Sequence, residues 1–187
     1  MKPPVKTLAF LTIFLPLTFV ATAQVKTNPS NSIGACVQKV IDDFPNHFNN
    51  IVGELIIENP QSTDYQCNLK VNDAEECTIT RYSDKKTPVY SWQALMLTTD
   101  NFETARRKFR SLYNELNNLN RGSTLLKGSY ESPAEEKSFT SVVFSFNPLR
   151  GSLEKLRVEI NMEAEGMDWK VKVLVYEEVS ETEVDSQ

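Results

Sequence analysis

The chain has 187 residues, a formal net charge of −5 and a single histidine, with 40% hydrophobic and 24% charged residues. That balance suits a folded chain with a sizeable core and disfavours a general nucleic-acid binder, whose phosphate contacts need a basic surface. One histidine excludes a multi-histidine metal site or mechanism, and six glycines without G-x-G-x-x-G or G-K-[ST] exclude the usual phosphate loops.

The first 23 residues read as a secretory signal peptide. Lys2 and Lys6 flank an apolar run from Leu8 to Val20, followed by the small-x-small exit Ala21-Thr22-Ala23. The run is short and contains Pro16, so it does not read as a permanent membrane anchor. Cleavage before Gln24 removes two lysines and no acid, taking the formal charge to −7. The predicted destination is secreted or periplasmic, where a disulfide persists. Residues 24–31 are polar and read as a flexible lead-in, and residues 32–176 as one globular domain.

Ser32 is a predicted helix cap, and Ile33, Cys36, Val37, Val40, Ile41 and Phe44 recur at helical spacing. Pro45 predicts a break at Phe44. Beyond it Phe48, Ile51, Val52 and Leu55 keep a helix-like spacing, against which Gly53 and the β-branched Ile56-Ile57 argue. Tyr65–Val71 and Glu76–Tyr82 read as strands joined by an Asn72-Asp73 turn, and Val89–Thr98 as a third strand. Asp100, three residues before Glu103, is the predicted cap of a second helix. Its apolar face is Phe102, Ala105, Phe109, Leu112, Tyr113, Leu116 and Leu119, with Arg121-Gly122 at its end.

A weaker strand, Leu125–Tyr130, precedes Phe139–Phe146, Lys155–Glu163 and Trp169–Tyr176. Strict alternation in the last two, such as Leu156, Val158, Ile160 and Met162 against Arg157, Glu159, Asn161 and Glu163, predicts one buried and one wet face. Residues 177–187 carry Glu177, Glu178, Glu181, Glu183 and Asp185 without a base and read as an acidic disordered tail. The predicted fold class is α+β: a curved antiparallel sheet with two helices packed on one face. The order helix, strands, helix, strands occurs without a repeated residue pattern.

Three cysteines make an odd set, so at least one is left over after pairing. Cys67 and Cys77 fall on the sheet face that the first helix, carrying Cys36, should cover. The predicted bridge joins Cys36 to Cys67 or Cys77, with a Cys67–Cys77 hairpin bridge as the alternative. Tyr90 and Trp92 share one side of a strand, while Arg106 and Arg110 share a helix flank. These four are the candidate binding residues, and the expected pairing of Arg107 is with Glu103. Glu159 and Glu163 lie about 13 Å apart along one strand, which does not form a glycosidase pair by itself. No nucleophile elbow, metal-ligand spacing or cofactor motif is present. The chain therefore reads as a secreted, non-catalytic interaction protein, an inhibitor or accessory factor with a protein or other macromolecular partner. Two other classes stand beside it: a carrier of an apolar small molecule, and a secreted hydrolase without a known signature.

Overall fold

Ser32 starts the first helix, α1 (Ile33–Asp43), by accepting a 3.3 Å hydrogen bond from Ala35 N on its Oγ. In this computed structural model, which describes residues 31–83, 88–117, 119–121, 124–147 and 153–178, the helix buries Ile33, Cys36, Val37, Val40 and Ile41. Its end is set by Phe44-Pro45-Asn46, which tighten into a single 3-10 turn. His47 and Phe48 then both adopt left-handed backbone, with φ of 54° and 59°. The buried carboxylate of Asp43 holds this reversal, accepting from Asn46 Nδ2 at 3.2 Å, from Asn50 N at 3.0 Å and from Asn50 Nδ2.

Nine antiparallel strands follow among the described residues. They are β1 (Val52–Glu58), β2 (Ser62–Cys67), β3 (Glu76–Tyr82), β4 (Val89–Thr99), β5 (Asn120–Arg121), β6 (Thr124–Gly128), β7 (Phe139–Asn147), β8 (Leu156–Glu165) and β9 (Asp168–Glu177). The second helix, α2 (Phe102–Leu116), lies between β4 and β5. All strands join one sheet in the order β1-β2-β3-β4-β9-β8-β7-β6-β5. Sheet predominates over helix, so the α+β description covers a molecule that is mostly β.

The helix–meander order occurs twice, as α1 with β1–β4 and α2 with β6–β9. The two meanders join through their last strands, β4 and β9, which pair antiparallel. The order β1-β2-β3-β4 is thus mirrored by β9-β8-β7-β6 about the β4–β9 pair, although the residue pattern does not repeat.

One parity of each central strand is buried: Trp92 and Ala94 on β4, Val171, Val173 and Val175 on β9, and Leu156, Val158, Ile160 and Met162 on β8. Phe102, Ala105, Phe109, Leu112 and Leu116 of α2 complete this core, and α2 touches β4, β8 and β9. The helices touch each other, and α1 also touches β9. Glu115 of α2 accepts a 2.9 Å hydrogen bond from Gly34 N in the first turn of α1, placing a carboxylate at a helix N-terminus.

Several local expectations need correction. The helix-like spacing after Phe44 leads into a turn and then β1, because Pro45 and two left-handed residues redirect the chain. Strand β2 ends at Cys67, four residues before Val71, and Asn72-Asp73 lies within a longer excursion in which Asp73 has φ 59°. The cap of α2 is Asn101, not Asp100: Asn101 Oδ1 accepts from Thr104 N at 2.8 Å. Strand β9 continues through Glu177, one residue into the predicted tail. Residues 1–30, on which the predicted signal peptide and nearly all of the predicted lead-in fall, lie outside the described residues, as do 179–187.

Candidate functional site

The inward parity of the sheet brings the three cysteines into one neighbourhood. Strands β2 and β3 pair Tyr65 with Ile79 and Gln66 with Thr78, so the next step sets Cys67 opposite Cys77. Strands β3 and β4 pair Cys77 with Ala94 and Ile79 with Trp92, on the same inward face. Directly opposed residues in an antiparallel pair have Cα atoms about 4.5–5.5 Å apart, inside the about 7 Å that a disulfide spans. All three thiols are free in the structure. The Cys67–Cys77 pairing that the sequence left as an alternative is thus the one in register.

Donors converge on Cys67. Its sulfur receives the Trp92 indole N–H at 3.3 Å and the Leu69 backbone N–H at 3.4 Å, as well as the Cys77 thiol. Its own thiol proton would have only the Leu69 carbonyl, 4.0 Å away. The Cys77 hydrogen bond, helped by Leu69 N and Trp92 against the opposing effect of burial, pulls the Cys67 pKa down to about 7. Cys77 moves the opposite way, because it donates to Cys67 and is itself desolvated. Cys36 is fully buried and its thiol donates to the Lys70 carbonyl at 3.5 Å; burial raises its pKa against the attraction of Lys39.

Trp92 is fully buried, with 0% of its surface exposed. It therefore cannot act as a surface-binding aromatic, and the strand parity that grouped it with Tyr90 did not tell which side was wet. Tyr90 is half-buried at the start of β4, where its ring lies 5.2 Å from that of the exposed His47. Opposite Tyr90 in the ladder is Arg81, whose Nε is buried with no hydrogen-bond partner among the described residues. In the sequence the signal for Arg81 is its place as a charged residue at the parity of Cys77 and Ile79.

On α2, Arg106 Nη2 meets Glu103 Oε2 at 2.6 Å, and its guanidinium carbon is 5.9 Å from the centre of the Phe102 ring. The expected Arg107–Glu103 pair is replaced by this one, and Arg107 Nη2 donates instead to Thr104 Oγ1 at 3.0 Å. Arg110 is exposed on the same helix. Pairs of this exposed kind contribute about 0–1 kcal/mol, so the flank is a solvated surface with part of its charge already matched. Glu159 and Glu163 are also engaged, the first by Tyr176 Oη at 2.9 Å and the second by Lys172 Nζ.

The residues least explained by the fold are on β1. This strand is the last in the sheet order on its side, and Leu55, Ile56 and Ile57 are 57%, 47% and 50% exposed. The ladder to β2 breaks register between Val52 and Leu55 and again between Leu55 and Ile57, so this apolar run lies on an irregular stretch of the edge. The strand is nevertheless firmly seated: Asn68 donates from Nδ2 to the Val52 carbonyl at 2.8 Å and from its backbone N to the Ile51 carbonyl at 2.7 Å. A Cβ on Gly53 would sit 2.9 Å from Asn68 Oδ1 and 3.0 Å from the Gln66 carbonyl, so the close approach of β1 to β2 requires glycine.

Among the described residues no group of three His, Cys, Asp or Glu side chains is placed to hold a metal ion, and no helix is long and apolar enough to cross a membrane. Compared with protein families, curated proteins and solved structures, the chain matches none.

Proposed function

We propose that the protein is an exported, non-catalytic interaction protein, an inhibitor or accessory factor, whose partner adds a strand to the β1 edge. Its body is a curved sheet carrying both helices on one face, which leaves the outermost strand free to pair. The observation that carries this reading is the run Leu55-Ile56-Ile57, exposed on the outer strand of the sheet. Exposed apolar edge strands invite pairing, and proteins usually blunt them with lysine, proline, a bulge or a covering element. Here β1 contains neither lysine nor proline, and its irregularities fall between Val52 and Leu55 and between Leu55 and Ile57, so the pairing it offers is a short one around residues 56–58. Strand addition supplies main-chain hydrogen bonds, while side-chain pockets on alternate faces supply selectivity.

The charges narrow the partner. Glu54 and Glu58 bracket the apolar run. Pairing two copies antiparallel about Ile56 would set Glu54 opposite Glu58 twice, and like charges directly opposite are destabilising. The partner is instead a different protein with an apolar strand flanked by cations. The carrier reading lacks comparable support, since Trp92, Phe109, Phe144 and Leu116 occupy the interior beside the helices.

The test is affinity capture from the extracytoplasmic fraction of the source cells, comparing the wild type with Leu55→Lys/Ile57→Lys. A stoichiometric protein retained by the first and lost by the second supports the reading. Retention by both, a β1-paired homodimer in sedimentation, or turnover of a glycan, ester or peptide by the purified protein overturns it.

A further inference from the structure

We propose that Cys67 and Cys77 form a redox-active cross-strand dithiol, with Cys67 the thiol that attacks and Cys77 the thiol that resolves, and that its substrate class is a small or protein-borne disulfide. The proposal is independent of the β1 edge and stands on register and hydrogen-bond geometry. Cys67 and Cys77 face each other across β2 and β3. Both residues are partly exposed at the margin of the core, whereas Cys36 is fully buried in it.

The donor pattern separates the two roles. Around Cys67 Sγ stand the Trp92 indole N–H, the Leu69 N–H and the Cys77 thiol, all of which stabilise a thiolate. The titratable groups that act on the pair are each other and, behind them, Cys36. Cys77 gives its proton toward Cys67; it shares the Trp92 donor but, among the described residues, has no backbone N–H like that of Leu69, so it is the poorer first nucleophile.

The chemistry balances without a metal or cofactor. The Cys67 thiolate attacks one sulfur of a disulfide RS–SR, forming Cys67–S–SR and releasing RS⁻. Cys77 then attacks Cys67 Sγ, its proton passing to the second departing RS⁻ through solvent. The dithiol is oxidised by two electrons to the Cys67–Cys77 disulfide, and RS–SR is reduced to two thiols. Attack through a mixed disulfide is the general route of such exchange. A disulfide here links residues already opposed, so closing it needs no large backbone movement.

The test uses the full-length mature protein, reduced and then freed of reductant, with oxidised glutathione as the probe. Acid-quenched peptide mapping should recover a Cys67–Cys77 bridge and an unmodified Cys36. In Cys77→Ser, glutathione should accumulate on Cys67 as the mixed disulfide. Cys67→Ser should lower the reaction rate at pH 7 at least about fivefold, from the loss of the thiol with the largest thiolate fraction. The wild-type rate should reach half its maximum at least about one pH unit below the about 8.5 of an ordinary cysteine. Mapping on the wild type requires no variant to fold, and far-UV circular dichroism checks the two that are used. A Cys36-containing bridge, a mixed disulfide first on Cys77, or three unreacted thiols would overturn the proposal.

Discussion

Replacing Trp92 with phenylalanine tests the packing and the thiol site together. The indole is wholly buried, and its N–H reaches Cys67 Sγ at 3.3 Å. Phenylalanine keeps one ring and loses the equivalent of about two buried methylenes, worth about 1.5 kcal/mol at about 0.8 each before any cavity penalty. Losing the hydrogen bond adds about 0.5–1 kcal/mol. The expected destabilisation is about 2–3 kcal/mol, which for a chain of this size lowers Tm by roughly 4–12 °C. Thermal and urea unfolding followed by circular dichroism measure this, with the remaining Trp169 as a fluorescence reporter. The same substitution removes one donor from Cys67, so the pH at which that thiol reacts should rise. An unchanged Tm together with an unchanged thiol titration would refute the placement of the indole over Cys67.

Three further outcomes follow from particular contacts. A Cβ on Gly128 would lie 2.8 Å from both Phe144 Cδ1 and Val142 Cγ1. Gly128→Ala should therefore cost about 0.5–2 kcal/mol in urea unfolding, the overpacking penalty being partly offset by the stiffer unfolded chain. Burial and a hydrogen bond to Glu159 push the Tyr176 phenol up to about 12 from 10.0. Its contribution is complete below pH 10 and is lost as pH rises toward 12, because the unfolded chain ionises first; the wild type should lose about 1–2 kcal/mol more than Tyr176→Phe across that interval, after a discount for solvent screening. Reversing Arg106 and Arg110 to glutamate removes the Arg106–Glu103 pair and the Arg106 contact with Phe102 and should cost about 1–2 kcal/mol, while leaving partner capture intact.

What the residue pattern disclosed depended on how many neighbours each element had. Strands β7, β8 and β9 and helix α2 were legible because one face of each packs on the core, which imposes a period. Strand β1 was not, because register breaks between Val52 and Leu55 and between Leu55 and Ile57 disturb its period of two and the strand buries little, and the Phe48, Ile51, Val52 and Leu55 spacing imitates a helix. The α2 cap was misplaced by one residue because Asp100 and Asn101 are both good caps; only geometry chose between them.

The thiol cluster was half legible. Parity put Cys67 and Cys77 toward Cys36, but register needed the loop. A two-residue turn at Asn72-Asp73 would pair Val71 with Ala74 and hence set Cys77 opposite Asn68, on the wrong face for Cys67. The observed excursion shifts that register by one, and a one-residue slip exchanges the faces of every side chain. Tryptophan at position 92 was ambiguous for a related reason: alternation groups residues without saying which group is wet, and its companion Tyr90 lies at the strand end where burial fades.

The central claim, that β1 is a pairing edge, is tested most directly by amide hydrogen exchange on the protein alone and in complex with its captured partner. The amides of Val52–Glu58 that face away from β2 should exchange quickly in the free protein and become protected in the complex, with those of β6 and α2 unchanged. Protection confined to the α2 flank or to β6, or a complex in which the β1 amides exchange as they do in the free protein, would contradict it.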